Sequence, residues 1–464
     1  MSMHSRYVFL CLLLSALAVV ACARVTDAAA EGSATPIGVA KVDITPEDPV
    51  RMYGYASRKT ESEGIAGRLH AKAMALGDGD DLAVLLTVDC GAVPADIRAE
   101  VYQRVHEKTG LKPERFMLCN SHNHSGPNLK GTDSMNGTEH EHLAKYAEAL
   151  TDRLTEVILN AVEQQRPCRL DWSAGEVGIA ANRRVLKDGK WTGFGAVPEA
   201  PVDHSLPVLR VSDPDGKLVA VVVNYACHCT TLRGNFKRIH GDWAACAQEY
   251  IEADHPGALA LITIGCGADA DPCPHSTVEL CEKHGRAMAD EVARVLQGSF
   301  QPIEPKLVAR QEPLSVPFLN PPPLDELEQK VGKSWALKGL LDRLRDGEKL
   351  EPRTFEISTW VFGNDLAMVF MSDEVVVDYA LRMKREMDGS RLWITAYTNE
   401  IRSYIASERI LAEGGYEARN SLSNLVSFGD PQKVKPSMEE RIIRQIAKLL
   451  PEEFKKPREN VNLR

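Results

Sequence analysis

The 464-residue chain lacks the short signatures that most often settle a function. No two cysteines stand in CxxC spacing, which argues against a zinc ribbon. Neither an HExxH helix nor a G-x-S-x-G elbow occurs, so the commonest metalloprotease and serine-hydrolase readings fall away. Positive charge is also scarce. Lys and Arg number 55 against 65 Asp and Glu, a net charge of -10. Nucleic-acid binding needs clustered cations and is not expected. The apolar run from Val8 to Val20 is too short for a comfortable membrane span.

What is present describes an exported globular protein. The hydrophobic fraction of 44% is that of a folded domain, and the length allows a large core. His4 and Arg6, the Val8–Val20 run and the small residues after it read as an export signal over residues 1–23. Ala21-Cys22-Ala23 offers a cleavage site, and Val19-Val20-Ala21-Cys22 also fits a lipoprotein signal acylated at Cys22. The product is then periplasmic, secreted or lipid-anchored at the cell surface. Residues 24–36 read as a flexible lead. Nine cysteines follow the signal, an odd number that leaves one thiol outside any intrachain pairing. A Cys266–Cys281 disulfide and buried free thiols are both open.

Strand-like runs at Leu82–Val88, Phe116–Leu118, Pro207–Val211, Leu218–Tyr225, Leu259–Ile264, Leu366–Met371 and Leu392–Ala396 are largely continuous in apolar residues. Helical patterns occupy Ala95–Thr109, Glu139–Glu163, Ala244–Glu252, Val278–Leu296, Glu374–Met387 and Met438–Leu450. This alternation predicts an α/β fold of mixed sheets flanked by helices, in one domain over residues 37–464. Residues 301–353, with Pro321-Pro322-Pro323, read as a connecting insertion, either a lid or surface decoration.

Two glycine-rich stretches are set aside. Gly265-Cys266-Gly267-Ala268-Asp269-Ala270 follows a strand, but Pro272 and Pro274 obstruct the helix a dinucleotide fingerprint requires. Gly332-Lys333-Ser334 lacks the upstream glycine and strand of a P-loop.

Ser121-His122-Asn123-His124-Ser125-Gly126-Pro127 carries more. On an extended chain His122 and His124 share a face while Asn123 points away. That suits one metal ligand with a second imidazole beside it. His228 follows the apolar run Leu218–Ala226, and alternation directs Cys227 and Cys229 opposite to it. Alone, His228 is an ordinary hydrogen-bonded histidine. Glu374 alone is a first-turn helix acid behind an N-cap at Ser372, and Tyr404 and Tyr416 are loop residues. Ligands in α/β sheets, however, gather outside the carboxyl ends of strands. His122, His228, Glu374 and Tyr404 all follow such ends. Imidazole and carboxylate suit zinc, and a hydrolytic zinc site keeps one position for water.

The order and spacing of several segments together resemble the neutral/alkaline (non-lysosomal) ceramidase family in its N-terminal catalytic domain. They are Gly38 to Pro46, Met52-Tyr53-Gly54-Tyr55, His122 to Pro127, Asn182-Arg183, the His228 strand end, the Glu374 segment and the Tyr404…Tyr416-Glu417 stretch. The resemblance runs from about Ile37 to Ser421. It implies a zinc-dependent amidase acting on an N-acyl lipid such as N-acylsphingosine. His122, His228, Glu374 and Tyr404 match the family's zinc ligands; His124, Arg183 and Tyr416 match groups around the reacting amide. Membrane-surface association would come through the substrate or a lipidated Cys22. Two departures stand out. Asp271 occupies the position where the family carries an active-site Ser, so a carboxylate there either acts as a base or favours a polar or cationic substrate. The family's C-terminal β-sandwich is not expected in this chain. The rival readings are a metal-dependent esterase on the same site and an inactive surface-binding protein.

Overall fold

Strands with apolar residues on both faces need cover on both sides, and this chain supplies it in layers. The computed structural model describes residues 34–129 and 137–457; the signal, Cys22 and the lead up to residue 33 lie outside them. In the strand Ala83–Val88, Val84, Leu86 and Val88 face a core formed with the helices Ala95–Thr109 and Thr138–Glu163. Ala83 and Leu85 face the other way, toward a second sheet. Leu218–Tyr225 divides likewise, with Val221, Val223 and Tyr225 toward the helices Asp242–Asp254 and Val278–Leu296. The period of two, not the hydrophobicity itself, assigns each side chain to its layer.

The larger sheet has nine strands. Its path runs Leu259–Ile264, Leu218–Tyr225, Ser205–Ser212, Arg166–Glu176, Thr35–Asp43, His70–Leu76, Ala83–Val88 and Phe116–Asn120, with Gln301–Pro302 beside Arg166–Glu176. Only the pairs at its two ends are parallel. The smaller sheet orders Leu307–Gln311, Ile357–Phe362, Leu366–Met371 and Leu392–Thr395. Trp360, Phe362, Met368, Phe370 and Trp393 fill the space between the sheets, each worth about 1.5–3 kcal/mol of apolar burial. The outer face of the smaller sheet is covered by the helices Val377–Glu386 and Met438–Leu449.

The segment Ala396–Asn399 joins these parts. Ala396 donates to Ile264 O (2.8 Å), Asn120 to Tyr397 O (3.1 Å), Asn399 to Leu118 O (2.7 Å) and Thr398 to Met371 O (3.1 Å). It therefore stitches both edge strands of the larger sheet to the smaller one, and brings their carboxyl ends to one place.

The mixed α/β class and the long apolar strands agree with the sequence expectation. Several strands were not legible. Arg166–Glu176 alternates buried and exposed residues through Arg, Asp and Glu, and the hairpin Ala180–Lys187 with Lys190–Val197 is half polar. Thr35 already pairs with Cys168, so ordered chain begins two residues before Ile37. Glu374 is not in a helix: it lies in the two-residue strand Glu374–Val375, and helix begins at Val377. Ser372 therefore does not act as its N-cap; its hydroxyl accepts from Glu356 N (3.0 Å). Residues 301–353 are more than decoration. They supply an edge strand of the smaller sheet, and their helices Leu324–Val331 and Trp335–Arg345 bury Leu327, Leu337 and Leu340 against Leu425 and Phe428. The residues after Gly267 form a short strand, Ala270–Pro272, rather than a phosphate-facing helix. Ser334 caps the helix after it, accepting from Leu337 N at 3.1 Å. Cys266 and Cys281 are not bridged: the first is in the main core and the second packs with Leu232 and Cys246.

Asp89 ends the Ala83–Val88 run inside the core, where burial pushes its carboxyl up to about 6. It accepts from His70 N (2.9 Å) and Gln248 Nε2 (3.1 Å). A carboxyl raised by folding binds its proton more tightly in the native state. Its contribution is therefore intact near pH 4 and is lost as pH rises toward about 6. Asp89→Asn keeps both contacts if the Gln248 amide turns over. Relative to wild type, that variant is expected to gain roughly 2–3 kcal/mol of stability between pH 4 and pH 7 in denaturant titrations.

Candidate metal centre and pocket

Strand ends deliver the central residues through strained backbone. Four non-glycine residues lie there in the left-handed region: His122 (φ 53°), Asp373 (65°), Tyr397 (55°) and Asn399 (55°). His122 thus shares no strand face with His124, because extended chain stops at Asn120. Their rings are nevertheless 5.1 Å apart. Ser121 donates to Val88 O (2.9 Å) and His122 to Cys90 O (3.0 Å), which fixes the turn. Asp373 accepts from the backbone of Arg402 (2.7 Å) and Ser403 (2.8 Å), setting Glu374 beside Tyr404 in a parallel bridge.

The two imidazoles are oriented alike. His122 Nδ1 lies 2.8 Å from Gly91 O, and His228 Nδ1 lies 2.8 Å from Gly267 O. A carbonyl only accepts, so each Nδ1 carries the proton and each Nε2 presents a lone pair. A Cβ at Gly267 would stand 2.4 Å from Cys227 N, so only glycine permits that approach. Both Nε2 atoms face Glu374 Oε2, at 3.3 Å and 3.1 Å. Burial lowers the basicity of His122. Three acceptors converging on one buried point repel one another unless a cation or protons sit among them. His122, His124 and His228 also offer ligand atoms within 4.8 Å of one another. The residues thus fit a metal ion. Cys227 and Cys229 face the main core, where burial pushes both thiols well up.

A cavity of about 680 Å³ opens beside this point. His124, Arg183, Asp271, Tyr404 and Tyr416 line it, together with Phe194, Thr230 and Arg233. Both ring nitrogens of His124 are buried without a partner among the described residues, and burial holds its pKa well below the usual value. It is a neutral imidazole aimed at the cavity. Arg183 donates to Glu417 Oε1 (2.9 Å), Asp271 Oδ1 (3.2 Å) and the Tyr404 hydroxyl (3.2 Å). Tyr404 and Tyr416 meet edge to face at 5.5 Å, and burial pushes both phenols up. Burial works against the Asp271 carboxylate, but the Arg183 and Arg233 guanidinium groups hold it well below the ordinary range. Arg233 reaches its other oxygen at 3.0 Å, and Thr230 donates to Oδ1 at 3.2 Å. Pinned in this way Asp271 is a poor general base; it anchors two arginines.

All eight residues singled out in the sequence lie in or beside this one site. Sequence reasoning missed Tyr397, whose ring is 4.7 Å from that of His122, as well as Arg233 and Thr230. The signal for Tyr397 was its place directly after the strand Leu392–Thr395. Gly54 (φ +94°) lies against His124, and a Cβ there would stand 2.3 Å from the ring. Gly54→Ala is expected to cost about 1–2 kcal/mol of stability through its backbone. Displacement of His124 should cost roughly 10–100-fold in kcat/KM. Parallel melting curves and steady-state kinetics separate the two effects.

The fold and this site define a class that the comparisons name. Residues 36–270 match the family model of neutral/alkaline non-lysosomal ceramidases, N-terminal, and the chain belongs to that family. Neutral ceramidase A of Dictyostelium discoideum is 26% identical over 220 residues, 46% of this chain and 31% of that protein. Neutral ceramidase B of the same organism is 25% identical over 218 residues, covering 45% and 30%. The chain thus spans about a third of the length of these curated relatives. The crystal structure of neutral ceramidase from Pseudomonas aeruginosa superimposes with a TM-score of 0.68 at 19% identity, over 88% of this chain and 75% of that one. A ceramidase complexed with C2 gives 0.66 at 17%, over 89% and 76%. These likenesses establish the fold. The family match stops at residue 270, so Asp271, Glu374, Tyr404 and Tyr416 lie beyond it.

Proposed function

We propose that the protein is an exported, zinc-dependent hydrolase of linear amides, with N-acyl lipids of the N-acylsphingosine class as substrates. The observation that carries this reading is the convergence of the His122 and His228 Nε2 atoms on Glu374 Oε2 beside a cavity lined by His124, Arg183 and Tyr416. His122, His228, Glu374 and Tyr404 would hold the ion. His124, which lines the cavity with both ring nitrogens unpartnered among the described residues, is assigned to substrate instead. When bound, zinc supplies Lewis acidity that polarises a carbonyl and acidifies water.

The chain's own groups do the rest. Gly91 and Gly267 hold the imidazole tautomers through their carbonyls. Tyr416 and His124 donate to the oxygen that gains charge as the amide carbonyl is attacked. His124 also takes the proton that water loses as it attacks the carbonyl and delivers it to the leaving amine nitrogen as the C–N bond breaks. Arg183 holds the Tyr404 hydroxyl and Asp271 in place, and its own cation stabilises the same developing charge. Phe194 and Tyr416 give the acyl chain an apolar wall.

Metal analysis of the mature protein, with hydrolysis of a fluorescent N-acyl-sphingosine panel with and without chelator, tests the proposal. About one zinc per chain and chelator-sensitive amide cleavage is the expected result. Metal-free protein that still cleaves the amide would overturn the zinc assignment. Zinc-loaded protein inert on every amide would overturn the substrate class.

A further inference from the structure

Single exposed apolar side chains are ordinary, whereas contiguous ones mark interaction or membrane sites. Leu186 (41% exposed), Phe194 (54%) and Trp335 (44%) are three of the six large exposed apolar residues in the described chain. They are connected. Phe194 meets Tyr416 at 5.3 Å and Trp191 at 5.5 Å, Leu186 lies opposite Trp191 across the hairpin, and the Trp335 side chain lies near the Tyr416 hydroxyl. The three exposed residues therefore form one rim on the cavity that Phe194 and Tyr416 line.

Cations flank that rim. Lys187 and Lys190 sit at the hairpin turn, and Lys333 and Lys338 lie on either side of Trp335. All four are exposed, and none enters an ion pair within the described residues; Lys190 reaches only Ala412 O at 2.9 Å. Asp188 is the one acid at the hairpin turn. The chain as a whole carries a net charge of -10, so these lysines are a local exception.

We propose that this rim is the docking surface for an anionic lipid leaflet, from which the adjoining pocket draws its substrate. Exposed Trp, Phe and Leu side chains enter the headgroup boundary while lysine stems lie along it, with their ammonium groups on lipid phosphates. Lysine is depleted at protein–protein interfaces, so a lysine-flanked rim fits a protein partner less well. The inference rests on the lipid-amide reading of the pocket, and its test is separate.

The mature full-length protein is mixed with vesicles of phosphatidylcholine alone or of phosphatidylcholine with phosphatidylglycerol, and bound protein is measured by flotation. Wild type is compared with Leu186→Ser/Lys187→Glu/Lys190→Glu, changes at exposed positions outside the pocket. Expected are binding to the anionic vesicles that added salt weakens, a drop of about tenfold or more in the variant, and unchanged hydrolysis of a water-soluble short-chain N-acyl amine. No vesicle binding by wild type, or equal binding by both proteins, overturns the proposal. So does self-association of vesicle-free wild type that the triple variant abolishes, which would give the rim to a second copy of this chain. Failure to cleave the soluble amide would count against the hydrolase reading and leave the flotation result to be judged by itself.

Discussion

His122→Ala is expected to lose bound metal and amide turnover together. The proposed ion is held where two lone pairs and one carboxylate converge, and removing His122 leaves His228 and Glu374 facing each other at 3.1 Å. Activity should fall by more than about 10³-fold, because charge stabilisation and water activation disappear in one step. Metal content by mass spectrometry distinguishes this from damage to the pocket. His124→Ala, by contrast, should retain the metal and lose roughly 10²–10⁴-fold in kcat as a proton-transfer partner is removed. Retained metal with full turnover in His122→Ala would sink the ligand assignment. Metal loss in His124→Ala would move that histidine into the ligand set with His122 and His228.

The second large effect concerns stability. Glu417 is fully buried and bonds Arg183 Nε through Oε1 at 2.9 Å and Arg184 Nη1 through Oε2. Glu413 Oε2 meets Arg184 Nη2 at 3.0 Å and shares its load, whereas Arg183 depends on Glu417 and Asp271. Glu417→Ala takes one carboxylate from two buried guanidinium groups, leaving Arg183 to Asp271 and Arg184 to Glu413, and is expected to destabilise by about 3–5 kcal/mol, the cost of breaking a buried pair from one side. Glu417→Gln keeps the acceptor on one side and should lose less. Urea titration gives the difference. If Glu417→Ala matches wild type within about 0.5 kcal/mol, the pair is not a structural anchor.

The legible parts of the sequence share a physical cause. Leu218–Tyr225, Leu259–Ile264 and Leu366–Met371 are buried on both faces, so selection for burial leaves an unbroken apolar run. Thr35–Asp43 and Arg166–Glu176 have partly exposed faces and carry charge, and their periodicity is diluted. Glu374 shows the limit of local reading. Its position before a helical pattern looks like a first-turn acid, but Asp373 turns the chain left-handed and pairs Glu374 with Tyr404, thirty residues on.

The sequence alone determined which residues end up at strand ends, since hydrophobic runs and the polar residues that close them are local properties. It thereby marked His122, His228 and Glu374 as neighbours in kind. Tertiary structure decided the rest. Whether those strand ends meet depends on Ala396–Asn399 hydrogen-bonding to both edge strands at once, a contact between segments some 130 to 280 residues apart that no periodicity encodes. Tertiary structure also turned Asp271 from a candidate base into a clamped anion, because its charge is governed by Arg183 and Arg233, which only the fold brings to it.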